Sequence, residues 1–422
     1  MSNTENEKIP HEKTIDSTLA LKQEGYMFIK NRCDELKTDI FKTHLLGEEV
    51  ICMTGEEAAK IFYDSNNFER KNTAPKRVQK TLFGENAIQG MDGEAHLHRK
   101  HLFMSLTGKL NQEKLSTLMM EKLMNSISVW ENSQQIVLFD EAKNKLCQVA
   151  CEWAGVPLAD SEIEDRANDF AAMIDGFGGV GLRYWSGKKA RTRAEDWIQG
   201  IISNVRLGKL NVQEDTALHA FAFYRDLDGN MLDEKMAAIE LINIIRPIVA
   251  ISTYIAFMIV ALHDNPHDRQ FLIHSNEEYF EMFVQEVRRF FPFTPFVGAR
   301  VKKDFNWNNC DFTKETLVLL DVYGINHDSK IWNEPFTFEP ERFKNWDGNM
   351  FTFIPQGGSD PATGHRCPGE GITTTLMKTT LDFLVNNIKY QFPEQDFSYS
   401  LARIPTFPES KVILSNVKGV IL

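Results

Sequence analysis

Gly364-His365-Arg366-Cys367-Pro368-Gly369-Glu370 is the stretch on which the reading of this chain turns. A glycine-bounded loop passes through a cysteine into a proline. Pro368 suits the first turn of a helix, where its missing N–H costs nothing. The Cys367 thiol is therefore expected at the positive end of a helix, with Arg366 and His365 beside it, and both effects favour thiolate. A buried free cysteine at a helix start has the same local signature; the flanking basic residues and glycines favour the reactive reading. The other cysteines, Cys33, Cys52, Cys147, Cys151 and Cys310, are too few and scattered for a disulfide framework. Cys147 and Cys151 share one helical face and read as small buried hydrophobes.

Working outward, Gly369 to Ile388 reads as a helix with Ile372, Leu376, Phe383, Leu384 and Ile388 on one stripe. Upstream, Glu277 to Phe291 carries Phe280, Phe283, Val284, Val287 and Phe291 at helical spacing. Asp233 to Leu262 reads as one long helix, polar at first and nearly all apolar later. Its run Ile248 to Leu262 is short for a bilayer span and follows Arg246-Pro247, so a buried core helix is expected. Strand signals are few: Val50 to Met53, Thr316 to Leu320, and Lys411 to Leu414, the last expected in a terminal hairpin. With no internal repeat and no Gly/Ser-rich linker, the expectation is one domain over 1–422, mainly α with small β elements.

Composition narrows the function. The chain has 422 residues, 42% hydrophobic and 25% charged, which excludes a disordered or low-complexity protein. A net charge of −12 with no basic block argues against nucleic acid or an anionic membrane as partner. Thirty phenylalanines suggest a wide apolar interior or a core around something large and flat. The N-terminal stretch is polar and has no apolar leader segment, so a cytoplasmic protein with no membrane anchor is expected.

Two further motifs are weak alone. Glu286-x-x-Arg289 is an i, i+3 pair of a kind usually found on surfaces, but it lies among phenylalanines, which argues for partial burial. Pro340-Glu-Arg342-Phe343 follows. Taken in order with the cysteine loop, they make the last third of the chain resemble the haem-thiolate cytochromes, the cytochrome P-450 superfamily. The resemblance implies that fold, with haem b as cofactor, Cys367 as the iron ligand, His365 at a haem propionate, and Glu286, Arg289 and Arg342 as a structural triad. A thiolate ligand pushes electron density onto iron and favours O–O cleavage.

Two departures from the superfamily pattern are informative. Phe353 stands fourteen residues before Cys367, about twice the usual interval, with Gln356 to Thr363 filling the gap and Thr363 where a glycine is usual. The acid-alcohol pair that normally delivers protons is missing from the stretch Asn243 to Ala250, where Arg246-Pro247 stand instead. Both features resemble the bacterial fatty-acid peroxygenases, nearest in motif to the long-chain β-hydroxylating members from bacilli. That resemblance runs from Ile9-Pro-His-Glu to Leu401-Ala-Arg-Ile-Pro and includes Lys76 to Lys80, Asn86 to Gly93 and Pro355 to Gly358.

An always-charged guanidinium within an apolar helix needs an anion. Glu240, six residues before Arg246, lies on another helical face, and Asp233 is the other internal candidate. The resemblance assigns Arg246 to the substrate carboxylate. Pro247 removes a helix hydrogen bond and is expected to kink the helix there. Gln89, otherwise an ordinary loop residue, is implied to lie over the haem and to favour hydroxylation over decarboxylation. His96 and Lys100 are i, i+4; a metal site would need a third ligand, and the resemblance implies haem propionate contacts instead, with Arg70 as a further one. It also implies an apolar channel of Phe83, Ile174, Phe177, Phe293, Thr294 and Phe296, residues that ordinary core packing would equally use. The expected activity is peroxide-dependent hydroxylation of long-chain fatty acids at the α or β carbon, with minor decarboxylation to terminal alkenes and no redox partner. A conventional NADPH- and reductase-fed monooxygenase and a non-catalytic haem or fatty-acid carrier are the alternatives.

Overall fold

The computed structural model describes residues 9–274 and 277–420. The first eight residues of the polar N-terminal stretch lie outside them. Helices dominate, and the architecture is built round the 31-residue helix Glu234–Asp264. Asp233 caps it by accepting the Met236 N–H at 2.7 Å. From Ala237 to Leu262 nearly every side chain is buried. By length and composition this helix passes as a membrane span, yet 94% of its most apolar window is covered by protein. Helices Leu138–Ala154, Leu182–Arg206, Glu277–Phe290 and Glu370–Asp382 pack round it. The helix runs unbroken through Pro247, which stands in its interior.

A five-stranded sheet lies to one side, in the order Ile40–Leu45, Glu48–Met53, Leu317–Asp321, Phe296–Val301, Phe68–Glu69. Two expected strands, at 50–53 and 316–320, are its parallel pair, with Val50 opposite Leu317 and Met53 opposite Leu320. Both are buried on two faces, hence their unbroken apolar runs. The third expected strand pairs antiparallel with the strand before it in the chain, across a long connection. Ile413–Gly419 is the middle strand of three, between Gln135–Val137 and Ile388–Gln391. The helix read as ending at Ile388 stops at Asp382, then passes through a wide turn into that strand. Apolar periodicity cannot separate the two, because stripe and strand both bury Ile388.

Phenylalanines fill the space between helices. Phe257 stacks on Phe291 at 4.6 Å, and Tyr254 on Phe293 at 4.5 Å.

Candidate active site

The cysteine loop is anchored from behind. The Cys367 N–H donates to the Gln356 carbonyl at 3.0 Å. Gln356 also accepts from Arg288 at 3.0 Å and donates to Thr373 at 3.1 Å. Arg288, buried on the helix Glu277–Phe290, reaches Glu370, whose carboxylate also takes both Nε and Nη2 of Arg366. The residues that lengthen this loop form a self-contained turn. Asp360 accepts the Ala362 and Thr363 N–H groups, each at 2.9 Å, and its carbonyl accepts the Gly364 N–H at 2.8 Å. Gly358 has to be glycine, because a Cβ there would stand 2.7 Å from the Tyr63 ring.

The thiol behaves differently from the expectation. Burial pushes Cys367 up, against the Gly369 N–H, Lys100 and Arg288, which pull it down. Arg366 is spent on Glu370, and His365 stacks on His96 at 4.2 Å. The cations that lower the thiol most are Lys100 and Arg288, the latter unnoticed in the sequence beside Arg289, and Arg246 also feels the sulfur. A metal ion coordinated by the sulfur would deprotonate it outright.

Beside the cysteine lies a crowd of basic groups. His96, Lys100 and Arg70 are all buried. Among the described residues, Lys100 donates only to the Arg366 carbonyl, at 2.5 Å. The Arg70 guanidinium stands over the rings of Phe62, at 4.5 Å, and Tyr63, at 5.6 Å, with the Asp92 charge acting on it from further off. Burial, then the charges of His365 and Lys100, push His96 down to about 3; burial pulls Lys100 down to about 8. Burial also lowers Arg70 and His365. Against them stands Asp92, 3.4 Å from His365. Burial works to raise its carboxyl, but His365 and the backbone N–H groups of Arg70 and Lys71 hold it at about 2. Asp92 pairs with His365, which leaves His96, Lys100 and Arg70 without an ion pair among the described residues. The propionates of a haem supply that charge, and Cys367 supplies the axial sulfur, so these residues fit the group.

Arg246 is buried, its Nε has no hydrogen-bond partner, and no ion pair reaches it among the described residues. Burial and the nearby Arg191 guanidinium push it down to about 9, while Cys367 pulls it up. Neither internal anion serves it. Asp233 caps its helix, and Glu240 accepts from Arg99 at 2.8 Å and from the Ile88 N–H at 2.9 Å. Asn243 donates to the Phe83 carbonyl at 2.8 Å and lies 3.4 Å from Gln89 Oε1. The Phe83–Gln89 segment is thereby tied to the helix one turn before Arg246. In the sequence Glu240 was weighed only as a partner for Arg246, and Arg99 and Asn243 were given no role; a buried acid in an apolar helix was the available signal.

Phe83, Ile174, Phe177, Phe293 and Thr294 are half-buried. The turn ending at Phe83 packs on helices Ile163–Gly176 and Leu182–Arg206, and Phe293 packs on Tyr254 of the central helix. Phe296 departs from this group: it packs toward Phe28, Ile29, Cys33 and Phe41 beside the sheet. Glu286, Arg289 and Arg342 come together as expected, and more deeply. Arg289 donates twice to Glu286 at 2.7 Å and Arg342 once at 3.1 Å, with the Glu286–Arg289 pair fully buried.

A family profile described as Cytochrome P450 matches residues 270–412. Cytochrome P450EX alpha (CYP152N1), solved with myristic acid, is 43% identical, with 98% of this chain and 99% of that one covered at a TM-score of 0.95. The chain belongs to the cytochrome P450 family. Within the family it falls in the CYP152 branch of fatty-acid peroxygenases, which are haem-thiolate enzymes. Ligand-free cytochrome P450 OleT is 37% identical, with 98% and 100% covered and a TM-score of 0.96. Among curated relatives, cytochrome P450 3A17 of Cavia porcellus is 32% identical over 148 residues, 34% of this chain and only 27% of that protein. Protopanaxadiol 6-hydroxylase of Panax ginseng is 21% identical over 402 residues, 88% of this chain and 84% of that protein.

Proposed function

We propose that the protein hydroxylates long-chain fatty acids at the α or β carbon at the expense of hydrogen peroxide, with haem b as cofactor and no redox partner. The observation that carries this is Arg246, a buried guanidinium without an anion, electrostatically coupled to Cys367. A bound fatty acid supplies the missing carboxylate. That solved relatives were crystallised with myristic or arachidonic acid supports the same class of substrate.

Cys367 would hold the haem, with His96, Lys100, Arg70 and His365 to pair its propionates, and the bound group would supply peroxide activation and oxygen insertion into a C–H bond. The chain's own residues do the rest. Arg246 holds the carboxylate, so the α and β carbons are the ones presented. Fixing an acid there makes a bimolecular proton transfer local. No acid or alcohol stands from residue 243 to 250, and a carboxylate oxygen on Arg246 takes and returns the proton in their place. Phe83, Ile174, Phe177, Phe293 and Thr294 line the alkyl path and exclude water. Gln89, its amide oxygen turned to Asn243, is neutral near pH 7 and neither donates nor accepts a proton as an imidazole does. Terminal alkene is therefore the minor product.

Gas chromatography of products from protein, a long-chain acid and peroxide tests this. Hydroxy acid should dominate, a long-chain alcohol should be nearly inert, and Arg246→Leu should lose at least about a hundredfold in turnover. Undiminished peroxide-driven oxidation by Arg246→Leu, or turnover only with NADPH and a reductase, would overturn the proposal.

A further inference from the structure

The N-terminal segment, residues 9–17, lies along the outer edge of the five-stranded sheet. Lys42 donates its N–H to the Pro10 carbonyl at 2.8 Å and accepts the Glu12 N–H at 2.9 Å, which sets His11 beside Lys42. Side chains alternate along a strand, so His44, two residues on, shares the Lys42 face. His44 in turn stands directly across from Glu49 in the antiparallel register. Three neighbouring segments thus bring two imidazoles and a carboxylate to one place. One nitrogen or oxygen from each of His11, His44 and Glu49 lies within 4.8 Å of the others.

We infer that His11, His44 and Glu49 form a binding site for a divalent transition-metal ion, one that clips the N-terminal segment to the sheet. Each ligand has the right free valence. The His11 Nδ1 lies 2.6 Å from the Glu12 carbonyl, so it carries the proton and leaves the Nε2 lone pair outward. A carbonyl fixing the tautomer in this way is the usual support behind a metal-bound histidine. His44 Nδ1 is withdrawn from solvent and has no hydrogen-bond partner, an unmet need that a metal ion satisfies. Glu49 gives one oxygen to Lys42 at 3.0 Å and keeps the other free.

The side chains of His11 and Glu49 are exposed, so modest rotations draw the three donors in to bond lengths of about 2.0–2.2 Å. An open groove lined by Lys13, Asp16 and Gly47 adjoins His11 and His44 and leaves a coordination position to water. The nearby charges are mixed. Lys13 and Lys42 oppose a cation; Glu12 and Asp16 favour it, though Glu12 is paired with Arg32 at 2.9 Å and Asp16 is engaged by the Thr18 and Gly47 N–H groups. Two imidazoles with one carboxylate select zinc, nickel or copper over calcium or magnesium. This site is independent of the haem cleft and of the fatty-acid chemistry.

The test uses the haem-loaded full chain, freed of adventitious metal with a chelator and titrated calorimetrically with zinc ions alone. One saturable equivalent is expected, with a rise in melting temperature, because a ligand that binds only the folded state stabilises it. His44→Ala and Glu49→Gln should each weaken that binding by at least about tenfold, without changing the melting temperature in chelator. His11→Ala should abolish the zinc-dependent rise. Absence of saturable binding by the parent protein would overturn the inference. So would zinc binding that survives unchanged in a His11→Ala, His44→Ala double variant, since the thiols would then be the ligands.

Discussion

Asp321 shows what one buried carboxyl does to the whole chain. It ends a sheet strand and caps the short helix Val322–Asn326 by accepting the Gly324 N–H at 2.7 Å. Its other oxygen is buried with no partner. Burial pushes its pKa up to about 7, against the Gly324 N–H, which pulls it down. A folded-state pKa above the unfolded value near 3.9 means that the native state binds more protons. Stability from this group is full below about pH 4 and is lost as pH rises through about 7. Asp321→Asn keeps an oxygen for the Gly324 N–H and removes the ionisation. The variant should be the more stable at pH 8, on the order of 1–3 kcal/mol, with the gap narrowed at pH 5 and closed below about pH 4. Urea midpoints at the two pH values measure it, and equal midpoints at pH 8 would show that Asp321 ionises freely in the fold.

Among the elements, the helix Glu277–Phe290 does the most with the fewest residues. Glu286, Arg288 and Arg289 face the interior together. Arg289 and Arg342 meet on Glu286, which also accepts the Glu339 N–H at 2.9 Å. Neutralising Glu286 leaves two buried guanidinium groups facing each other. Glu286→Gln should cost about 3–5 kcal/mol of stability, read from denaturant unfolding; a loss under about 1 kcal/mol would mark the triad as replaceable packing. Arg288, one residue away, serves the cysteine loop through Glu370 and Gln356. Helical spacing alone did not separate those tasks, because consecutive arginines in a sequence carry no sign of which neighbour each will meet.

At the scale of the whole molecule, the central helix is both the core and the wall of the active site. Nearly all its surface is buried, and the single guanidinium on its apolar stretch has no anion among the described residues. A long-chain acid fills both needs, covering apolar surface and neutralising Arg246. Saturating long-chain acid, at about 100 times its dissociation constant, should stabilise the parent protein by about 2.7 kcal/mol. The alcohol of equal length should do much less, and Arg246→Leu should lose the distinction. Thermal melts with both ligands would show this, and equal shifts from acid and alcohol would mean that Arg246 does not meet the carboxylate.

The local chemistry was readable from the amino-acid order. A helix follows Pro368, Arg246 interrupts an apolar run, Glu286 and Arg289 lie one turn apart, and His96 and Lys100 share a helix face. Each depends on residues within a few positions of one another, and the periods of helix and strand translate such spacing into geometry. Tertiary structure decided the partners. Glu240 turned to Arg99, Arg366 to Glu370 and Phe296 to the sheet; Ile413–Gly419 became a middle strand; and burial rather than the flanking cations set the Cys367 thiol. Hydrogen bonds and desolvation act between groups that the folded chain brings together from distant positions, and no local period encodes which group arrives.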